Sequence, residues 1–291
     1  RRSIPMATVD INTKMITLLG LPLTQSFAAQ MQNAAYEAAG MNMIYTYTEV
    51  DNEHLGDVVN GIRYMNFAGF AVTKPNKVKV LEYLDELDPL CEKMGASNTV
   101  VKTADGKLVG YNTDGIGFIT SLQKDGGIVI DENTYFCIGA GGAGRAMCSA
   151  LAYYGAKKIY ITDIVEASAK SLVDDINNNF APVAEYVVFG DFAKVAEVSV
   201  VLNASGIGMG SHIGENPLPD ECIKPDAFYF DACYNPDKTQ FLLDAEAKGA
   251  KILNGLGMSL YQGAAQITHW TGEEAPVEAM RQKLLDIISG K

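Results

Sequence analysis

Residues Tyr135 to Ala146 read YFCIGAGGAGRA, and the reading of this stretch decides the fold. A short apolar run, Tyr135-Phe-Cys-Ile138, stops at Gly139. Gly139, Gly141 and Gly144 then fall in the spacing G-x-G-x-x-G before an Ala-rich segment, which predicts strand, tight turn and helix. The first glycine permits the turn, the second lets a pyrophosphate approach the backbone, and the third lets helix pack on strand, so the helix amino end can hold the anion. Glycine-rich turns also serve packing alone, so the surrounding sequence has to decide.

A helix is expected from Gly142 to Tyr154, stopped by Gly155, and a second strand, KKIYITD, ends at Asp163. That acid lies about twenty residues past the turn, where a dinucleotide fold sets a carboxylate against the adenosine ribose. Aspartate accepts from both ribose hydroxyls but repels a 2′-phosphate, and no Arg occurs from Ile164 to Ala169. NAD is therefore expected in preference to NADP; capping of a helix over 165–178 is the other role open to Asp163. Strands EYVVFG, VSVVLN and AFYFD complete a doubly wound sheet, and Asn203, Ala204 and Ser205 open a loop past a strand's carboxyl end, the expected side for the nicotinamide. The expected cofactor set is Gly139, Ala140, Gly141, Gly142, Ala143, Gly144, Asp163, Asn203, Ala204, Ser205 and Gly257.

Upstream, MITLLG, Ser26 to Ala38, MIYTYTEV, Glu53 to Gly61 and FAGFAV alternate β-rich with amphipathic character, which predicts a mostly parallel sheet with helices between strands. No phosphate-binding glycine pattern appears there, so that half is expected to carry the substrate. Thr73-Lys-Pro-Asn-Lys77 reads as the opening of a helix that ends near Leu87, with Lys77, Val80, Leu81 and Leu84 on its inward stripe. A lysine there suits proton transfer, or equally drapes its stem over the core edge. SNTVVKT and KLVGYN flank Ala104-Asp-Gly106 as a hairpin. Asn98 and Asp114 fall near its outer ends, and Asp114 also reads as the N-cap of a helix over 116–123.

The 291 residues suggest two domains. A formal charge of −12 argues against nucleic acid or an anionic membrane as partner. The cysteines, Cys91, Cys137, Cys148, Cys222 and Cys233, show no C-x-x-C spacing and read as reduced residues of a cytoplasmic protein. No metal-ligand cluster is apparent. RRSIPMATVD carries no signal-peptide core, and no apolar run approaches the ~20 residues of a membrane span. The expected partner is a small molecule; the sequence is silent on assembly and allows a homodimer.

From Gly20 to Gly272 the chain resembles the shikimate and quinate dehydrogenase family. The family's G-x-N-V-T-x-P-x-K is similar to Gly69-Phe-Ala-Val-Thr-Lys-Pro-Asn-Lys77, its A-V-N-T to residues 96–99, and its G-x-N-T-D-G-x-G to residues 110–117. NASGIGM, DACYNP, GMSLYQGA and the W-T-G at Trp270 follow in family order. The resemblance implies an α/β chain of two domains: a substrate domain over 1–114, completed by C-terminal helices over 256–291, and a Rossmann NAD domain over 115–255. It implies oxidation of a cyclic hydroxy-carboxylate to a ketone, with Lys77 and Asp114 as catalytic pair. Thr73, Asn98 and Gln262 would hold ring hydroxyls, with Tyr234 nearby. The family's G-x-P-I-x-H-S-x-S-P-x-x-H-N, whose serines grip the substrate carboxylate, appears as residues 20–33 with Ser26 kept. There Ala28 replaces the second serine, Ala29 the proline, and Gln25 and Gln32 the histidines, while Ala71 replaces the Asn of N-V-T.

Those departures keep two alternatives open: the same chemistry on an amino analogue or another cyclitol-like acid, and an NAD-responsive binding protein without catalysis. A histidine-based lactate-type enzyme fits less well, because His54, His212 and His269 all fall outside the matched motifs.

Overall fold

The structure, a computed structural model, describes residues 9–24 and 26–290. Residues 1–8, which belong to the segment without a signal-peptide core, and Gln25, one of the two replaced histidines, lie outside the described residues, as does Lys291. Two compact units divide the chain: one takes it up to Thr113 and again from Gln262, the other runs from Asp114 to Tyr261.

In the first unit β1 (Lys14–Gly20), α1 (Ala28–Ala39), β2 (Met43–Glu49), α2 (Leu55–Tyr64) and β3 (Gly69–Val72) follow the expected alternation. β4 (Glu86–Leu87), α3 (Pro89–Met94), β5 (Thr99–Lys102) and β6 (Leu108–Tyr111) complete a sheet of order β2-β1-β3-β5-β6-β4. β1 pairs in parallel with β2 and β3, and β4 with β6, whereas β5 runs antiparallel to β3 and β6. Leu19, Phe70, Val72, Val100 and Leu108 from the strands meet Leu55, Val59 and Ile62 of α2 in one core.

The segment 73–87 departs from the expected helix. Residues 74–78 form turns, and only Lys79–Tyr83 coils, as a short 3-10 helix. Tertiary partners take the backbone groups a helix would use: Thr73 N–H donates to Leu19 O at 2.8 Å, Lys77 O accepts from Ser97 N–H at 2.9 Å, and Asp85 N–H donates to Leu108 O at 2.9 Å. Strand pairing outweighs helix propensity here, as tertiary context often does. Lys77 therefore sits in a turn after β3.

The second unit opens in α4 (Thr113–Lys124) and continues through β7 (Thr134–Ile138), α5 (Gly142–Tyr153), β8 (Lys158–Thr162), α6 (Glu166–Asn179) and β9 (Ala184–Tyr186). β10 (Val200–Asn203), β11 (Phe228–Asp231), α7 (Gln240–Ala247) and β12 (Lys251–Leu253) follow. The order β12-β11-β10-β7-β8-β9 is parallel throughout, the doubly wound order whose chain reverses direction between β7 and β10. Strand period two sends Tyr135 and Cys137 to one core and Phe136 and Ile138 to the other. With both faces covered, the strands read as unbroken apolar runs.

α8 (Leu256–Thr271) and α9 (Val277–Ile288) end the chain. From Gln262 onward they pack in the first unit. Trp270 Nε1 donates to Val100 O at 2.9 Å, and a Cβ on Gly263 would come within 2.3 Å of Met31 and 3.2 Å of Met280. Among the described residues no helix is long and apolar enough to cross a membrane.

Candidate active site

In the second unit the glycines of the turn divide by what surrounds them. Gly139 takes φ 107°, a conformation open mainly to glycine. A Cβ on it would lie 2.6 Å from the Ala204 carbonyl carbon and the Ser205 nitrogen, and one on Gly144 would lie 2.0 Å from Gly139 O. These two are packing glycines: Gly139 docks the turn on residues 204–205, and Gly144 docks α5 on the turn. Gly141 and Gly142 are exposed, and a Cβ on either would meet nothing within 4 Å. α5 begins at Gly142 without a capping side chain and continues through half-buried Ala143. Its first N–H groups have no intrahelical carbonyl to satisfy them, and the space beside Gly141 and Gly142 is open, a cradle that fits a pyrophosphate.

Asp163 stands just past β8. Its Oδ2 accepts the Ala140 N–H at 2.6 Å and its Oδ1 the Val165 N–H at 2.7 Å. The carboxylate thus ties the glycine turn to the start of α6, where Val165 is the N-cap, so it also serves the helix start. Asn203 closes β10. Its Oδ1 accepts from the Ser205 N–H at 3.1 Å and hydroxyl at 2.6 Å, while its Nδ2 donates to Ile207 O at 3.0 Å and Asp231 Oδ2 at 2.9 Å.

Asp231, which the sequence reading passed over, is fully buried. It also accepts from the Thr239 hydroxyl at 2.6 Å and the Cys233 N–H at 2.9 Å. Burial pushes its carboxyl above the ordinary range, against the pull of those hydrogen bonds. One carboxylate therefore shapes both the loop after Asn203 and the turn into Tyr234, whose hydroxyl burial also pushes up. Its signals in the sequence were an aspartate that ends an apolar strand and opens the DACYNP stretch. Asp231→Ala leaves the Asn203 amide and Thr239 hydroxyl without their buried acceptor, at about 1–3 kcal/mol per group. The expected result in urea denaturation is a loss of about 3 kcal/mol; a loss below about 1 kcal/mol would show that the carboxylate does not hold this loop.

Gly257, at the start of α8, is where that helix approaches α4: a Cβ there would fall 2.3 Å from Ser121 Oγ and 2.5 Å from Asp125 Oδ2. Asp114 lies inside the first turn of α4 and is 8% exposed. The helix starts at Thr113, so Asp114 is not its N-cap. Among the described residues no group of three or more His, Cys, Asp or Glu side chains could hold a metal ion.

In the first unit Thr73, Lys77 and Asn98 are joined through the backbone. The Asn98 carbonyl accepts from Val72 N–H at 2.9 Å, next to Thr73, and Ser97 N–H donates to Lys77 O at 2.9 Å. Asn98 is 1% exposed; its Nδ2 donates to Thr113 Oγ1 at 3.0 Å and its Oδ1 accepts the Thr113 N–H at 2.8 Å. Thr99 Oγ1 stands 3.0 Å from Thr113 Oγ1 and accepts from Gln266 Nε2 at 3.1 Å. Gln266 Oε1 in turn accepts from Gln32 Nε2 at 3.1 Å. Gln262 lies one turn before Gln266 on the same face of α8 and is half-buried. Gln32, noted in the sequence only as a replaced histidine, is thus the buried link from α1 to this network.

Ser26 precedes α1. Its Oγ accepts the Ala28 N–H at 3.3 Å, and its carbonyl accepts from the Tyr47 hydroxyl at 2.7 Å.

Two family models match the chain: the shikimate dehydrogenase substrate binding domain over residues 18–100 and the shikimate 5'-dehydrogenase C-terminal domain over residues 255–285. A shikimate dehydrogenase (NADP(+)) of Desulforamulus reducens is 38% identical, over 95% of this chain and 96% of its own. A shikimate 5-dehydrogenase of Listeria monocytogenes, solved with shikimate and NAD, superposes with a TM-score of 0.91 at 37% identity, covering 95% of this chain and 98% of the other. The quinate dehydrogenase of Corynebacterium glutamicum, solved with NAD, gives 0.87 at 29% identity over 94% and 99%. With such identity carried along nearly its whole length, the chain belongs to the shikimate dehydrogenase family.

Proposed function

We propose that this chain is a pyridine-nucleotide-dependent oxidoreductase that reversibly transfers hydride between NAD and a cyclic hydroxy-carboxylate, shikimate or quinate. The observation that carries the proposal is the open amino end of α5 at Gly141 and Gly142, in a unit where Gly139 also packs on Ala204 and Ser205 and Asp163 binds the Ala140 N–H. In this scheme residues 1–114, completed by 256–291, form the substrate domain, and residues 115–255 form the coenzyme domain, with Gly257 of α8 adding to the coenzyme set. The partner is a small molecule, the setting is cytoplasmic, and a homodimer is compatible with both.

A nicotinamide coenzyme held at this turn would supply the hydride acceptor for the carbinol carbon. Lys77 and Asp114 hold and return the hydroxyl proton, a metal-free way to stabilise the developing oxyanion. Thr73, Asn98, Gln262 and Tyr234 orient the ring hydroxyls, and Ser26 takes the carboxylate. Support for Asn98 in this role is its fixed amide, held on both sides by Thr113.

The coenzyme preference rests on Asp163. Residues 164–169 hold no Arg, and Lys170, the first cation beyond them, is ion-paired with Glu166 at 2.5 Å. A 2′-phosphate placed beside the Asp163 carboxylate meets like charge. The Desulforamulus relative is named for NADP(+), which makes the preference a point of contrast within the family. A panel of shikimate, quinate and an amino analogue with NAD and NADP tests both parts. The expected outcome is turnover of shikimate or quinate with a higher kcat/KM for NAD. NADP used at least as well would sink the role given to Asp163, and silence with both acids would sink the substrate class.

A further inference from the structure

The altered stretch around Ser26 carries a compensation that lies in another element. Position 28 has lost the family's second serine hydroxyl, and position 29 has exchanged proline for alanine. The second change supplies an N–H that proline lacks. That N–H donates to the Tyr47 hydroxyl at 3.0 Å, and the same hydroxyl donates to Ser26 O at 2.7 Å. A proline at 29 would put its Cδ where this N–H points, too close to the phenol oxygen. The alanine and the Tyr47 hydroxyl therefore fit as a pair.

Tyr47 reaches this point from β2, two residues from Tyr45 and hence on the same face of the sheet. Tyr45 is 2% exposed while Tyr47 is 40% exposed, so the phenol stands at the open end of that face. Around it the entry to α1 is held at several points. Ser26 N–H donates to Leu23 O at 3.0 Å, Leu23 N–H to Glu49 Oε1 at 2.9 Å, and Ala28 N–H to Ser26 Oγ at 3.3 Å. In this arrangement Ser26 Oγ spends an acceptor site on the helix end and keeps its proton for an acceptor such as a carboxylate.

We propose that Tyr47 is a positioning residue for substrate specificity: by holding the Ser26 carbonyl and the Ala29 amide it orients Ser26 as the single serine that grips the substrate carboxylate, in place of the pair. This rests on the proposed function, in which the first unit binds a cyclic hydroxy-carboxylate. Tyr47 touches Ser26, not the reacting atoms, so its effect falls on binding of the acid.

The test is steady-state kinetics of wild type, Tyr47→Phe, and Tyr47→Phe combined with Ala28→Ser, using shikimate and its methyl ester. Tyr47→Phe is expected to raise KM for the acid about tenfold, the size of a weakened hydrogen bond to a charged group. It should leave kcat within about twofold, the coenzyme KM unchanged and KM for the ester unmoved. Ala28→Ser on that background restores a second hydroxyl and is expected to recover most of the acid KM. An unchanged acid KM in Tyr47→Phe, equal rises for acid and ester, or a fall in kcat alone would each overturn the inference while leaving the function standing. Wild type inactive on shikimate and quinate with either coenzyme would overturn the function and this inference with it.

Discussion

Replacing Lys77 by Ala is expected to lower kcat by about 10²- to 10⁴-fold, the usual worth of a positioned proton-transfer group, while NADH still binds. The turn that carries Lys77 does not depend on its side chain. Its carbonyl is held by Ser97 N–H at 2.9 Å, and the preceding Asn76, fully buried, donates from Nδ2 to Val50 O at 2.9 Å. Truncation therefore removes the ammonium without releasing the backbone. The proposed coenzyme residues all belong to the other compact unit, so titration of NADH fluorescence should give a dissociation constant within about threefold of wild type, a change of at most ~0.7 kcal/mol. Stopped turnover with retained NADH binding separates catalysis from scaffolding. A mutant as active as wild type would remove Lys77 from the chemistry. A wild type that binds NADH but turns over no acid would favour the non-catalytic binding protein.

What the sequence made legible follows from how local each determinant is. The strand, turn and helix at 135–153 could be read because Gly139, Gly144 and the apolar run act on near neighbours in the chain. The hairpin of β5 and β6 could be read for the same reason: Gly106 takes φ 85°, the kind of turn its neighbours announce. Residues 73–87 misled because their periodicity was genuine but their backbone partners, Leu19, Ser97 and Leu108, lie far away in the chain.

The site residues divide in the same way. Asp163 stood out in the sequence by a fixed distance past the glycine turn, and the structure adds that its two oxygens already receive the Ala140 and Val165 amides. Asp231 was not legible, because its meaning lies in three donors contributed by Asn203, Cys233 and Thr239. The link between Gln32 and Gln266 escaped notice likewise, since a buried amide looks like any polar helix residue until its partner is known. The replacements at 28 and 29 stood out in the sequence as losses, and only the position of Tyr47 shows that the Ala29 N–H gained a partner.

Two substitutions in the glycine turn should fail in opposite ways. Gly144→Ala puts a Cβ 2.0 Å from Gly139 O and 2.9 Å from Gly139 C. Both are backbone atoms, so no rotamer change relieves the clash. Either α5 lifts off the turn or Gly139 leaves its φ of 107°, and the second choice disturbs its contact with Ala204 and Ser205 and the neighbouring Ala140 amide that Asp163 holds. A stability loss of about 3–5 kcal/mol is expected in urea denaturation, the range reached by severe overpacking and strain, with coenzyme affinity falling as a consequence. Gly141→Ala is the contrasting case. Its φ of −72° and ψ of −163° are open to alanine, and its Cβ meets nothing within 4 Å, so stability should stay within about 0.5 kcal/mol of wild type. The added methyl instead projects where a pyrophosphate approaches the backbone, and the NADH dissociation constant is expected to rise at least about tenfold, or ~1.4 kcal/mol. Unfolding and NADH titration of the two variants thus distinguish a glycine required by packing from one required by a ligand. If Gly141→Ala binds NADH as tightly as wild type, the open end of α5 is not where the pyrophosphate lies, and the coenzyme site proposed for this unit falls.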